Sequence, residues 1–262
     1  MITSASNPRV KWVRALQTKR RARQEEGLFV VEGLRLAREV LSSQHAARLV
    51  LHTDALDARG RGLVNQLARL GAEIEAVSPA VMAACSDTQT PSGILVVVAI
   101  PKLAVPERPR LVLVADGLAD PGNLGTLLRT AVAAGVEVAF LTEGTVDAFN
   151  PKVVRGAMGA HLRLPIHTIP SHELGGRLGG LQLWLAQTGQ GEPYDQADWT
   201  PPTAVVIGGE AEGPRMDWLS LGARQVHIPM AGETESLNAA VAAAVILFEI
   251  VRQRGRPWIS AR

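Results

Sequence analysis

Three segments hold most of the residues in this chain that could bind and react. In chain order they are Asp120–Thr130, Ile207–Pro214, and a pair of stretches at Ile228–Met230 and Glu235–Ala240. Each places Gly, Asn, Glu or Ser where an apolar run stops or an amphipathic run starts, which is where α/β folds build ligand sites. In the first, Arg129 sits on the flank of the helical stripe Leu124, Leu127, Leu128, Ala131 and Val132. A guanidinium beside a core needs an acceptor, usually phosphate or carboxylate. Asn123 reads as the N-cap of that helix, after the turn Asp120-Pro121-Gly122. In the second, Gly208 and Gly209 permit close backbone approach, Gly213 can take a positive φ, and Glu210 stands at a strand end. In the third, Glu235 or Ser236 can cap a helix whose first turn holds Asn238. Singly, each segment also reads as a plain turn and cap; their order and spacing favour one composite site.

The chemistry this suggests is hydrogen bonding and anion clamping. The six histidines are scattered and no Cys/His pair has zinc spacing, so no metal site is expected. His161, His167 and His172 fall in a loop-rich stretch and read as surface residues. Gly208–Pro214 is neither G-x-G-x-x-G nor a Walker loop, so NAD and ATP lose their usual signals. No Gly-x-Ser-x-Gly elbow occurs. Cys85 has no base in motif relation and reads as a small hydrophobe.

The elements that must position these residues alternate. In the first half a basic helix is expected over Pro8–Arg23, with a thin stripe of Val10, Val13 and Leu16. Strands follow at Leu28–Val31, Arg48–His52, Glu73–Val77 and Ile94–Ala99, with helices at Gly33–Leu41, Gly62–Leu70 and Pro79–Ala84. This is an α/β/α sandwich. Pro101, Pro106 and Pro109 mark a linker, with a boundary near residue 105. The second half expects strands at Leu111–Ala115, Val136–Leu141, Leu181–Ala186, Ala204–Gly208 and Gln225–Ile228. Its helices are Leu124–Ala134, Pro151–Met158 and a buried terminal helix over Leu237–Arg252.

Net charge is only +2, yet residues 1–24 and 252–262 carry Arg and Lys with no acid. Basic ends on an acidic body suggest a polyanion partner. No run is long enough to cross a membrane, and Met1–Gln24 lacks the apolar core of a secretory signal. A single cysteine excludes an intrachain disulfide and fits a reducing cytoplasm.

The three segments resemble the motifs of the SpoU (TrmH-type) RNA 2′-O-ribose methyltransferases, a family of the SPOUT class. Asn123, Gly125 and Arg129 match the first motif, Gly208, Glu210 and Gly213 the second, and Ile228, Pro229, Ser236, Leu237 and Asn238 the third. Asn150–Arg155 and Gly159-Ala160 also look like family sequence, with Gly156-Ala157-Met158 where Ser is common. Asn7–Lys11, Phe29–Gly33, Arg35 and Thr90–Ile94 are similar to the L30e-like substrate-binding domain of many members. Ala211 and Pro214 depart from a frequent Gly and Leu.

The resemblance implies an L30e-like RNA-binding domain over 1–104. It implies an α/β SPOUT domain over 105–262 with a deep trefoil knot, S-adenosylmethionine as cofactor, and a homodimer formed through the C-terminal domain. Gly208, Gly209, Glu210, Ile228, Met230, Leu237 and Asn238 would hold the cofactor. Asn123, Arg129, Glu210, Ser236 and Asn238 would serve catalysis. Arg9, Lys11, Arg20, Arg23 and Arg35 would meet RNA phosphates. Trp12 and Phe29 read as core, so recognition by RNA shape and backbone is expected. Structured RNA is the expected substrate, ribosomal above transfer RNA. A non-catalytic RNA-binding assembly factor of the same fold is the alternative.

Overall fold

The computed structural model describes residues 1–209, 214, 216–232 and 235–255. They form two compact units. The first joins Met1–Lys102 to Asp147–Arg163; the second holds Leu103–Val146 and the described residues from Leu164 onward.

The first unit opens with two helices, α1 (Pro8–Thr18) and α2 (Arg20–Glu26). The expected single helix breaks because Lys19 is extended, with φ −117° and ψ 114°. Asn7 caps α1, accepting from the Arg9 N–H, and Pro8 takes the first helical position. Then come β1 (Leu28–Glu32), α3 (Leu34–Ser43), β2 (Ala47–His52), α4 (Ala58–Arg69), β3 (Glu73–Ala76), α5 (Pro79–Cys85) and β4 (Ile94–Ala99). The sheet order is β1-β4-β2-β3, antiparallel except for β2 with β3. Period-two alternation sends Phe29 and Val31 to a core with α3 and α4. It sends Leu28 and Val30 to a second core with α1 and α5. This is the expected α/β/α sandwich.

The second unit begins with β5 (Leu111–Asp116), α6 (Pro121–Ala134) and β6 (Val138–Leu141). Residues 147–163 belong to the first unit, although they lie beyond residue 105 in sequence. They carry α7 (Pro151–Ala157) and a 3-10 turn at Ala160–Leu162. Phe149, Val154 and Leu162 enter the core beside Phe29. His161, expected on the surface, is 2% exposed in that core. Its ring lies 5.2 Å from that of Phe149, and its Nε2 is 2.6 Å from the Ala148 carbonyl oxygen.

The second unit resumes with β7 (Ile166–Thr168), α8 (Ser171–Arg177), β8 (Gln182–Ala186), β9 (Glu192–Pro193), β10 (Thr203–Gly208), β11 (Arg224–His227) and α9 (Ala239–Gln253). Its sheet is parallel throughout, in the order β7-β6-β5-β10-β8-β11-β9. Helices α6 and α9 pack on each other, and α9 also meets β10. On one face α8 packs with Trp218, Val112, Val114 and Val206. Strands β7 and β9 and helix α8 had no signal in the periodicity: two are very short, and α8 is interrupted by Gly175-Gly176.

Candidate functional site

Parallel strands end together, and the three segments meet at those ends. Gly208 pairs with Asp116, and the Gly209 N–H donates to the Asp116 carbonyl at 3.1 Å. The Asp116 side chain is fully buried. Its carboxylate accepts from Thr142 Oγ1 at 2.6 Å, the Met216 N–H at 3.0 Å and Trp218 Nε1 at 2.7 Å. The Met216 and Trp218 bonds fasten the chain after β10 back to β5, and the Thr142 bond fastens the end of β6 there. Asp116 was not singled out from the sequence, although an acid closing an apolar strand is a signal in itself.

Helix α6 starts three residues earlier than expected. Its N-cap is Asp120, whose Oδ1 accepts from the Asn123 N–H at 2.7 Å, with Pro121 at the first helical position. Asn123 is therefore not a cap, and its side chain is committed elsewhere. Helix α9 starts two residues later than expected. Asn238, rather than Glu235 or Ser236, is its N-cap, accepting from Ala240 at 3.0 Å and Val241 at 3.3 Å. The Asn238 Nδ2 donates to Asn123 Oδ1 at 2.8 Å. One carboxamide thus caps α9 and ties the third segment to the first.

Beside this link lies a cavity of about 330 Å³. Gly208, Gly209, Ile228, Met230, Ser236 and Leu237 all line it. Further wall comes from Gln187, Thr188 and Gln190 after β8, and from Ala242 and Ile246 of α9, among others. The segment after β8 was missed because its Gln and Thr have no motif spacing. Glu210, with Gly213, lies outside the described residues. Arg129 is exposed on α6, does not line the cavity, and makes no hydrogen bond or ion pair among the described residues.

The expected RNA contacts divide. Lys11 and Arg20 are exposed, and Arg35 is exposed on α3, in the layer on the other side of the first sheet from α1. Arg9 is held by Glu73 at 2.8 Å and Glu75 at 2.9 Å. Arg23 must be corrected: it is 3% exposed and bonds Asp147 at 2.5 Å. Its Nη1 also donates to the Leu16 carbonyl at 2.7 Å. A buried guanidinium so committed has no donors for a phosphate. Cys85 is buried, which pushes its thiol up to about 11, as suits an inert small hydrophobe. Phe29 is core as expected, whereas Trp12 is only half-buried.

Residues 110–248 match the SpoU rRNA Methylase family, and residues 7–96 match the MRM3-like substrate binding domain. The chain is 33% identical to the 23S rRNA (guanosine(2553)-2′-O)-methyltransferase RlmP of Bacillus subtilis (strain 168), over 95% of this chain and 98% of that one. The SpoU methyltransferase AviRb of Streptomyces viridochromogenes, solved with S-adenosylmethionine (AdoMet), superposes with a TM-score of 0.85. It is 30% identical, with 96% of this chain and 100% of AviRb covered. An AdoMet-bound rRNA methyltransferase of Sinorhizobium meliloti gives a TM-score of 0.84 at 27% identity, covering 96% and 97%. With the second and third motif segments lining one strand-end cavity and the first tied to them by the Asn238–Asn123 bond, the chain belongs to the SpoU rRNA methylase family of S-adenosylmethionine-dependent RNA 2′-O-methyltransferases.

Proposed function

We propose that this protein methylates a ribose 2′-hydroxyl of ribosomal RNA, of the 23S type, in the cytoplasm. The observation that carries the reading is the cavity built from second- and third-segment residues and tied to the first by the Asn238–Asn123 bond. The cavity fits the cofactor: its volume lies within the range for small-molecule sites, glycine backbone opens one wall, and Ile228, Leu237 and Ile246 make another apolar. When bound, S-adenosylmethionine supplies an electrophilic methyl on a sulfonium. The protein's task is to orient the 2′-hydroxyl and stabilise its developing charge. Asn123, Ser236 and Asn238 position ribose or cofactor by hydrogen bonds, Glu210 shares that role, and Arg129 clamps the target phosphate and the developing alkoxide.

The first unit, which includes residues 147–163 beyond the expected 1–104, selects the RNA, and the second unit does the chemistry. A homodimer is supported by two features of the second unit. Arg129 does not line its own chain's cavity, and α9 exposes Val241 (47%) and Phe248 (37%). A trefoil knot is supported by β11 lying between β8 and β9, which are joined by residues 187–191 alone. The connection passes so close to β11 that a Cβ on Gly191 would overlap the Gln225 carbonyl.

The test is transfer of labelled methyl from S-adenosylmethionine to total RNA from a strain lacking the gene, with digestion to locate 2′-O-methylribose. One labelled rRNA position is expected. Cofactor and RNA binding without transfer to any RNA, assembly intermediates included, would support a non-catalytic assembly factor instead.

A further inference from the structure

The first unit carries a groove that plays no part in the site above. Its volume is about 390 Å³, and Trp12 is its one aromatic wall. The indole rests against the core shared by α1, α5 and the sheet, and its remaining surface lines the groove. Pro8 lies one turn earlier on the same side of α1 and continues the apolar floor. Arg48 reaches the groove through a defect in the sheet. Ala47 faces Val98 and Leu49 faces Val97, so Arg48 is the extra residue of a β-bulge. Bulges re-aim a side chain and gather beside functional sites. Arg48 and Glu26, both lining the groove, are exposed, and neither makes a hydrogen bond or ion pair among the described residues. The Trp12 indole N–H likewise has no acceptor there, whereas Arg9 is fixed by Glu73 and Glu75. Lys11 and Arg14 stand exposed on the same helix.

We propose that this groove takes one unpaired nucleobase of the RNA substrate, stacked on Trp12, with Arg48 on the flanking phosphate. The inference rests on the RNA methyltransferase reading and adds a base-reading site to it. Splayed bases are stacked on aromatic rings and read along their edges. Two carboxylates line the groove, Glu73 neutralised by Arg9 and Glu26 left without a cation among the described residues, and an uncompensated carboxylate is out of place in a groove that holds only phosphates. Glu26 has a use against a base, because it accepts from ring and exocyclic N–H groups.

The full-length protein is titrated with a single-stranded adenylate hexamer and with total rRNA, following tryptophan fluorescence and affinity. The hexamer quenches the wild type. Trp12→Leu loses that quenching and binds RNA on the order of ten-fold more weakly. Trp12→Phe keeps a ring and restores most of the affinity. Arg48→Gln, a surface change that leaves the fold intact even if Trp12→Leu does not fold, weakens binding and lowers its salt dependence by roughly one phosphate contact. Melting temperature and S-adenosylmethionine affinity stay unchanged in folded variants. Wild-type RNA affinity in Arg48→Gln, or in folded Trp12→Leu, overturns the proposal. So does quenching by an acidic peptide and not by RNA, which would mark a protein-binding groove. Quenching by the hexamer with no methyl transfer to any RNA supports the groove while removing the catalytic reading. Transfer with no quenching does the reverse.

Discussion

Arg129 projects from α6 with no hydrogen bond or ion pair among the described residues. A guanidinium is a permanent cation with five donors, so its use is to hold charge rather than to take a proton. Arg129→Ala is expected to abolish turnover with S-adenosylmethionine affinity intact. Arg129→Lys keeps the charge and loses the fork, and kcat should fall on the order of 100-fold. Full activity in the lysine variant would remove the bidentate clamp, and lost cofactor binding in either would remove the assignment. His161 offers a second test at this scale. Burial drives its imidazole down to about 4, although the Ala148 carbonyl and Asp147 oppose the shift. Between that value and the ordinary 6.5, the unfolded chain binds a proton that the folded chain refuses. Stability is therefore full above about pH 6.5 and declines as pH falls toward 4, by on the order of 3 kcal/mol. Denaturant unfolding against pH measures this. His161→Gln should flatten the slope in that window, and an unchanged slope would place its origin elsewhere.

At the scale of elements, the cavity depends on where α9 starts and on how closely β11 is crossed. Asn238 does two jobs at the helix start, and substitutions separate them. Asn238→Ala loses the cap and the link to Asn123, costing about 1 kcal/mol and weakening cofactor binding. Asn238→Ser keeps a capping oxygen without reaching Asn123. It should melt near the wild type while still binding S-adenosylmethionine poorly; wild-type affinity in that variant would make the Asn123 link idle. Gly191 has φ +84° and no space for a Cβ against Gln225. Gly191→Ala should cost more than about 1 kcal/mol from φ alone. It should also weaken cofactor binding, because Gln187, Thr188 and Gln190 of the same connection line the cavity. Calorimetric titration and thermal melting together measure both effects, and an unaltered affinity would uncouple the connection from the site.

The chain as a whole cannot be cut at one place. Residues 147–163 lie within the stretch that matches the methylase family, yet they belong to the first compact unit. Asp147 pairs there with buried Arg23, and Phe149, Val154 and Leu162 complete the core around Phe29. A fragment of 105–262 would expose those apolar side chains, and a fragment of 1–104 would uncover Phe29 and strand the Arg23 charge. Each fragment alone should be poorly soluble or melt well below the full chain, and co-expression should rescue both. Stable, monodisperse fragments with full-length melting temperatures would contradict this account.

Patterns that live in a few consecutive residues were legible in the sequence. Ile94–Ala99 could be read as a strand to the residue, because its β-branched run is bounded by Gly93 and Pro101. The cavity-lining Gly208, Gly209, Ile228, Met230, Ser236 and Leu237 were legible through the resemblance of their two short segments to family motifs. What depended on distant partners was not. Strand β9 exists because β11 runs beside it, and Arg48 is a bulge only against β4. Arg23 reads as one more surface cation until Asp147 closes over it. Asn123 and Asn238 were expected in one site through the family resemblance, but the hydrogen bond that joins them, and the cap that Asn238 alone supplies, appear only in the fold. Periodicity and capping are local properties of a chain. Burial and pairing are decided only when segments far apart in sequence exclude water from one another, and that was left to the tertiary structure.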